Sequence, residues 1–504
     1  MKTRGLFLSA LLMGAVWAGC SQDEVLNDVQ QERKVVQEES YVSIKIVAPK
    51  DASSRAVTDG GFKAGLAEEN AVNDLVLVFF DANGNYYDAQ SPAFEWTAVE
   101  PNTAVNIESS SDVVVVFKDK QVKPASFIAL LNTGKGADAF KNMSLSQVTS
   151  EITNYFNTVD NTSYFVMSNS VFVNGNGNVQ VAAPIADNQI CASEDVAKEN
   201  PVTAYVERVA VKLQAAAQAT VTATGKEVTM GDGSKVTLTP TITGMKFVHT
   251  NPTSWLLKDI TGFDATAPFN GWNDSGNFRS YWAKSYGANT TGYSYNIYSY
   301  NDAIANGPSA LTEYANENTS ATPTKLLVTA TIGATEGGAG VDTYKYKGYY
   351  YTLQMLKDEV GKALKDRGLK YTLNGAEGND WASYLTVTNP DGVEHYEGVI
   401  GITSDITVDE ATATAISQLE KPLWWKGGRC YFYVPVEHLA SKVGIVRNHW
   451  YLLDVTSVSG LGTPVADEDE PIIPTIIEEQ TYYVAAQIHI LAWKMISQSV
   501  SLGE

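Results

Sequence analysis

The chain is short of three things: cysteine, histidine in ligand spacing, and positive charge. Its 504 residues contain three cysteines. Cys20 lies in the N-terminal leader, and Cys191 and Cys430 are too few to staple a chain of this length, so a disulfide framework is excluded. A single bridge between those two stays open, but each reads first as a small apolar residue in or beside a strand. The histidines, His249, His395, His438, His449 and His489, show no HxH or HxxxH spacing, which leaves zinc without a signature. No G-x-S-x-G, Walker or G-x-G-x-x-G pattern falls in a strand, turn and helix context. No catalytic residue, cofactor or metal is therefore assigned, and the chain reads as a non-enzyme; a paired-carboxylate glycosidase stays open but unsupported. With 36 basic against 57 acidic residues the formal charge is −21. The missing basic face excludes nucleic acid as a partner.

A bilayer-spanning run is missing too. The start, MKTRGLFLSALLMGAVWAGC, sets Lys2 and Arg4 before an apolar run of signal-peptide length, too short to cross a membrane. Ala18, Gly19 and Cys20 then resemble a bacterial lipobox, whose cysteine is diacylated and becomes the new N-terminus. Asp23 and Glu24 resemble the surface-export tag of Bacteroidales lipoproteins. An ordinary cleaved signal with an incidental cysteine is the competing reading. Residues 21–40, rich in glutamine and glutamate, read as a flexible tether. Next, YVSIKIVAPKDASSRA places Val42, Ile44 and Ile46 on one face at period two, followed by a polar stretch around Arg55. An extended loop with one cation suits a trypsin-like protease, and a plain inter-strand loop is the alternative.

Beyond Arg55 the pattern is β-rich. AVNDLVLVFFDANGNYYDA reads as a strand, an Asn83-Gly84 turn and a second strand, and DANGN lacks the terminal glutamate of a calcium loop. DVVVVFK, ASFIALLN, SYFVMSNSVFV and AYVERVAVKLQAAA read as further strands, the last with Tyr205, Glu207, Val209, Val211 and Leu213 at even spacing. MSLSQVTSEITNYFN predicts a short helix, with Ser144 and Gln147 as its capping box and Leu145, Val148, Ile152 and Tyr155 along one face. A domain boundary is expected near residue 215. In the second half, Leu353, Leu356, Val360 and Leu364 mark a helix ended by Gly368, and RCYFYVPVEHL and VGIVRNHWYLLDVTSV give two long strands. The aromatic section at residues 277–302 suits either a glycan-binding surface or the cap of a loop-rich sandwich edge.

The chain is organised around its last stretch, QTYYVAAQIHILAWKMISQSVSLGE, which reads as two short strands. Ile496, Val500 and Leu502 share one face, interrupted by Gln498, while Ser497, Ser499 and Ser501 share the other. Such a strand is built to lie in a groove, its own or another's. The preceding ADEDEPIIPTIIEEQ carries like charges with Pro471 and Pro474, so residues 466–480 are expected to stay extended and unpaired, reaching away from their own domain.

SYVSIKIVAPKDASSRA, FVMSNS, VERVAVKL, RSYWAKS, GRCYFYVPVEHL, IVRNHWY, GLGTPV and IHILAWKMISQSVSL occur in this order along nearly the whole chain. Together they resemble the major fimbrial subunits of Bacteroidales, the type V pilins, with departures at Trp17 and Ala492. The resemblance implies a mainly β fold: two β-sandwich-like (transthyretin-like) domains with a few short helices. It divides the chain into a signal (1–20), a propeptide (21–55), an N-terminal sandwich (56–215), a C-terminal sandwich (216–465), and a hinge with donor strands (466–504). It implies lipidation at Cys20, a removable strand at residues 41–47 carrying Val42, Ile44 and Ile46, and a cut between Arg55 and Ala56 by an arginine-specific surface protease. A donor segment would carry Trp493, Ile496, Val500 and Leu502. The implied partners are further copies of the chain, accessory anchor and tip subunits, the outer membrane through the precursor's lipid, and a host protein or glycan receptor. A stalk role is expected; a tip or anchor subunit, or a monomeric surface lipoprotein that binds glycans, stands beside it.

Overall fold

Runs of β-branched and aromatic residues separated by turn residues favour strands, and the computed structural model is mainly β with a few short helices. It describes residues 40–49, 58–59, 65–98, 107–118, 122–173, 179–261, 284–287, 295–439, 442–472, 483–491 and 496–499. A nine-stranded, a six-stranded and a five-stranded sheet carry the fold. In the first, β1 (Ser40–Pro49) lies between β2 (Ile107–Phe117), antiparallel, and β3 (Val202–Arg208), parallel. Beyond β3 follow Met167–Asn169, Ser126–Leu131, Leu75–Phe80 and Tyr86–Gln90. The last two form the expected hairpin: Asp81 accepts from the backbone N–H of Asn83 (2.8 Å) and Asn85 (2.9 Å), and Gly84 takes a φ of 76°.

The chain leaves this sheet at Val209. AYVERVAVKLQAAA is two strands rather than the single one expected: β3, then β4 (Ala210–Thr224) in the six-stranded sheet. Tyr205 is exposed while Glu207 and Val209 are buried, so the evenly spaced row is not one face. The crossing is fixed by Arg208, whose Nε donates to the Glu69 carbonyl (2.8 Å), and by Asn448, whose N–H donates to the Ala210 carbonyl (2.7 Å). The expected boundary near residue 215 falls inside β4.

β5 (Lys235–Val248) pairs with Lys325–Gly333, and that strand with Arg429–Pro435, in the five-stranded sheet. β4 is flanked by β6 (Leu311–Asn316), antiparallel, and β7 (Trp450–Ser459), parallel. Val211, Leu213 and Leu453 from one sheet and Phe247, Val328 and Phe432 from the other share a core, which makes the pair sandwich-like. Helix α1 (Leu353–Asp366), N-capped by Thr352 and followed by Gly368 at φ 74°, buries Leu356, Val360 and Leu364 in a cluster with Trp381. The other expected helix is shorter. Its capping box is present, but it spans only Leu145–Thr149, and Ile152 opens a two-residue strand paired with Ser254–Trp255. Ile152 is exposed there; β-branched Ile152 and Thr153 favour extended backbone once a partner strand is available. Cys191 and Cys430 are separate, buried free thiols.

Candidate assembly site

β1 is an interior strand, and its sequence explains why. Val42 and Ile44 are fully buried in one core with Val113, Val115 and Phe117 of β2 and Val202, Ala204 and Val206 of β3. Ser43, on the opposite face, is also buried, and the short helix Glu194–Glu199 packs against the strand. Ile44 stands opposite Val113 on one side and Val202 on the other; Ile46, by its backbone, stands opposite Ser111 and Ala204. Burying Val42 and Ile44 contributes about 1.5–3 kcal/mol each. More telling is the ladder: taking β1 away would leave unpaired backbone groups on both β2 and β3, a slot that only another strand fills well. Arg55, Ala56 and Cys20 lie outside the described residues.

At the other end of the chain, β8 (Tyr483–Leu491) lies antiparallel on β7, and β9 (Ile496–Ser499) antiparallel on β8. The last stretch thus forms two strands, and both lie on the chain's own six-stranded sheet. Among the described residues, β9 is paired on its outer side by Thr58–Asp59 alone, where Thr58 stands opposite Ser497 and Asp59 opposite Ile496. Ile496 opens β9; Trp493, Val500 and Leu502 lie outside the described residues.

The segment before these strands differs from the expectation of an unpaired hinge. Through Ile472 it is docked: the Ala466 N–H donates to the His395 carbonyl (2.6 Å), Glu468 pairs with Arg429, and Asn301 donates to Asp469 (2.7 Å). Pro471–Ile472 bridges Tyr298–Ser299, and Ile472 is fully buried in a cluster with Val248 and Tyr300. The acidic run stays put because Arg429 and Asn301 answer its charges, and a short edge bridge tolerates proline. Residues 473–480 lie outside the described residues.

Between the first sheet and the sheet of β4 runs a buried polar seam that the sequence reading did not single out. Arg447 is fully buried, meets Glu317 at 2.6 Å, and also donates to the carbonyls of Trp255 (2.8 Å) and Leu256 (3.2 Å). Ser168, from the first sheet, donates to the same Leu256 carbonyl (2.6 Å). Lys258 meets Glu207 at 3.1 Å, and Lys212 meets Glu69 at 2.6 Å. Burial pushes the Glu207 carboxyl up, opposed by the Lys258 and Arg447 charges. The available signal was charge set inside apolar strand text, VERVAVKL and IVRN, since such residues are rarely buried unless paired. Asn448, at a φ of 58°, makes the turn that carries Arg447 inward.

Among the described residues no group of three or more His, Cys, Asp or Glu is placed to hold a metal ion, and no helix is long and apolar enough to cross a membrane. Residues 424–499 match the family model of the major fimbrial subunit protein type IV, fimbrillin, C-terminal. That match takes in Arg429–Pro435, β7, β8 and β9. No curated protein matches by sequence. Among solved structures, a candidate cell-adhesion protein from Parabacteroides distasonis aligns at 12% identity and TM-score 0.37, covering 91% of this chain and 98% of the other. A candidate cell-adhesion protein from Bacteroides eggerthii aligns at 12% identity and TM-score 0.33, covering 90% and 96%. The C-terminally truncated tip fimbrial protein Mfa3 from Porphyromonas gingivalis aligns at 11% identity and TM-score 0.31, covering 90% and 100%.

Proposed function

We propose that this chain, whose residues 424–499 match the fimbrillin C-terminal model, is a fimbrillin-type stalk subunit of a cell-surface fimbria. Its precursor is a lipoprotein held in the outer membrane by Cys20, and an arginine-specific surface protease cuts between Arg55 and Ala56. The cut frees β1, with Val42, Ile44 and Ile46, from its slot between β2 and β3. The C-terminal segment of a neighbouring copy, with Trp493, Ile496, Val500 and Leu502, then fills it. Donor and acceptor lie on different surfaces, so the contact is head-to-tail and grows a filament. Residues 56–215 and 216–465 serve as two sandwich domains, accessory tip and anchor subunits end the polymer, and no residue has a catalytic role. The observation that supports this reading above the others is the interior position of β1: the first strand among the described residues is paired on both sides, and a cut at Arg55 would leave it held by non-covalent contacts alone.

N-terminal sequencing of shed filaments tests the scheme. A mature start at Ala56 is expected, and Arg55→Ala is expected to leave a membrane-bound, lipidated monomer. A filament whose subunits start at Cys20 sinks the mechanism.

A further inference from the structure

We infer that the chain carries a saccharide-binding cleft, apart from β1, β8 and β9, where β5 and β6 meet the loop that follows Ile152–Thr153. A cavity of about 510 Å³ opens there, lined by Asn154, Tyr155, Lys246, Asn296, Tyr298 and Glu313 among others. Its size lies within the range of small-molecule sites, about 300–1,000 Å³. The lining comes from distant parts of the chain: Lys246 from β5, Glu313 from β6, Tyr298 from the two-residue strand that pairs Pro471–Ile472.

Charge decides the ligand class. Lys246 and Glu313 are ion-paired, and the Lys246 ammonium also sits 4.7 Å from the Tyr298 ring centre. Among the described residues, the cleft therefore offers no spare cation to a phosphate and no carboxylate cluster to a divalent ion. An apolar ligand would strip water from the amides of Asn154 and Asn296 and from the Lys246–Glu313 pair without replacing its hydrogen bonds. What fits is an uncharged molecule with an apolar face and several hydroxyls. A pyranoside has both: its C–H face stacks on tyrosine rings, and its vicinal hydroxyls bond to carboxamide and carboxylate. Tyr155 supplies a neutral phenol, since burial, then the nearby Glu313 and Tyr298, push its hydroxyl up.

The rim is held in place before any ligand arrives. Asn296 accepts from the His249 N–H (2.9 Å), donates from its own N–H to the Thr250 carbonyl (3.1 Å), and donates from Nδ2 to Thr250 Oγ1 (3.0 Å). Its exposed side chain therefore stands at the mouth on a fixed backbone. Tyr314, on the adjoining wall, packs its ring against Phe165 at 4.7 Å and bonds its hydroxyl to Glu69.

The test is saturation-transfer NMR on the full-length precursor with the methyl glycosides of glucose, galactose, mannose and N-acetylglucosamine, and inorganic phosphate in a parallel titration. At least one glycoside is expected to receive saturation on its ring C–H protons. Its affinity is expected to fall about tenfold in Tyr298→Ala, the loss of one ring stack, with a smaller drop in Glu313→Gln and in Asn296→Ala. Asn296 is exposed, so that variant stands even if Tyr298→Ala fails to fold. The inference is overturned if none of the four glycosides binds, if binding persists unchanged in both Tyr298→Ala and Asn296→Ala, or if phosphate binds there instead. Protease-driven polymerisation of Asn296→Ala at the wild-type rate keeps this outcome separate from the assembly scheme.

Discussion

Under the proposed processing, Ile44 carries a burden that changes when the chain is cut. In the precursor it is fully buried between β2 and β3, so Ile44→Ala is expected to cost about 2–5 kcal/mol, read from urea unfolding of the uncut chain. In the proposed scheme the cut removes Ile44 with its strand, so filaments grown from Ile44→Ala precursor are expected to melt like wild type; a lower filament melting temperature would show that β1 is retained. A second residue-scale effect concerns His395 and His249, whose pKa burial lowers to about 4. Each binds its proton more weakly when folded than when unfolded, so its contribution is intact above about pH 6.5 and is lost as pH falls from there toward 4, by up to about 3 kcal/mol. Glu207, raised by burial, works in the opposite sense. The melting temperature is expected to fall between pH 6.5 and 4.5, with a shallower slope in His395→Gln, whose side chain can still meet the Tyr431 hydroxyl that the imidazole holds at 3.1 Å. An unchanged slope in that variant would remove His395 from the account.

Among elements, β1 and β9 hold opposite positions: one is interior, the other lies on β8 and, among the described residues, is flanked on its outer side by Thr58–Asp59 alone. Deleting residues 493–504 removes β9 and leaves β8 on β7. The truncated precursor is therefore expected to melt within about 5 °C of the intact chain, a loss of one or two kcal/mol spread over a large protein, while polymerisation disappears. A collapse in stability would mean that the segment serves its own sheet alone, and strand donation would fall with it. The row of Val42 and Ile44 was legible because period two leaves little choice for a strand with a buried face, and α1 because its cap and its Gly368 stop agree with its apolar spacing. Other features are written in partners remote along the chain. The break at Val209 depends on Asn448 and Glu69, the docking of residues 466–472 on Arg429 and Asn301, and the short Leu145–Thr149 helix on Ser254–Trp255. No local pattern announces such pairings.

At the scale of the whole molecule, a chain assembled head-to-tail as proposed must carry tension through each subunit from the slot to the donor segment. The covalent and ladder path is short: β3 flanks the slot, Val209 joins it to β4, β4 pairs with β7, and β7 with β8. Its narrow point is Val209, and the polar seam is concentrated there, with Arg208 and Lys212 on either side and Arg447 in the turn ahead of β7. Because the seam ties the first sheet to the sheet of β4, the wild-type chain is expected to unfold in a single transition. Arg447→Met keeps much of the side chain's bulk but leaves the Glu317 carboxylate buried and unanswered, a cost of about 3–5 kcal/mol. The expected result in guanidinium is a lower midpoint, with the first-sheet and second-sheet signals parting into two transitions, and filaments of the variant shortening under shear. Pairing the change with Glu317→Leu should restore part of the loss, though not the bonds to the Trp255 and Leu256 carbonyls. If Arg447→Met unfolds at the wild-type midpoint in one step, apolar packing alone joins the sheets, and the seam plays no part in carrying load.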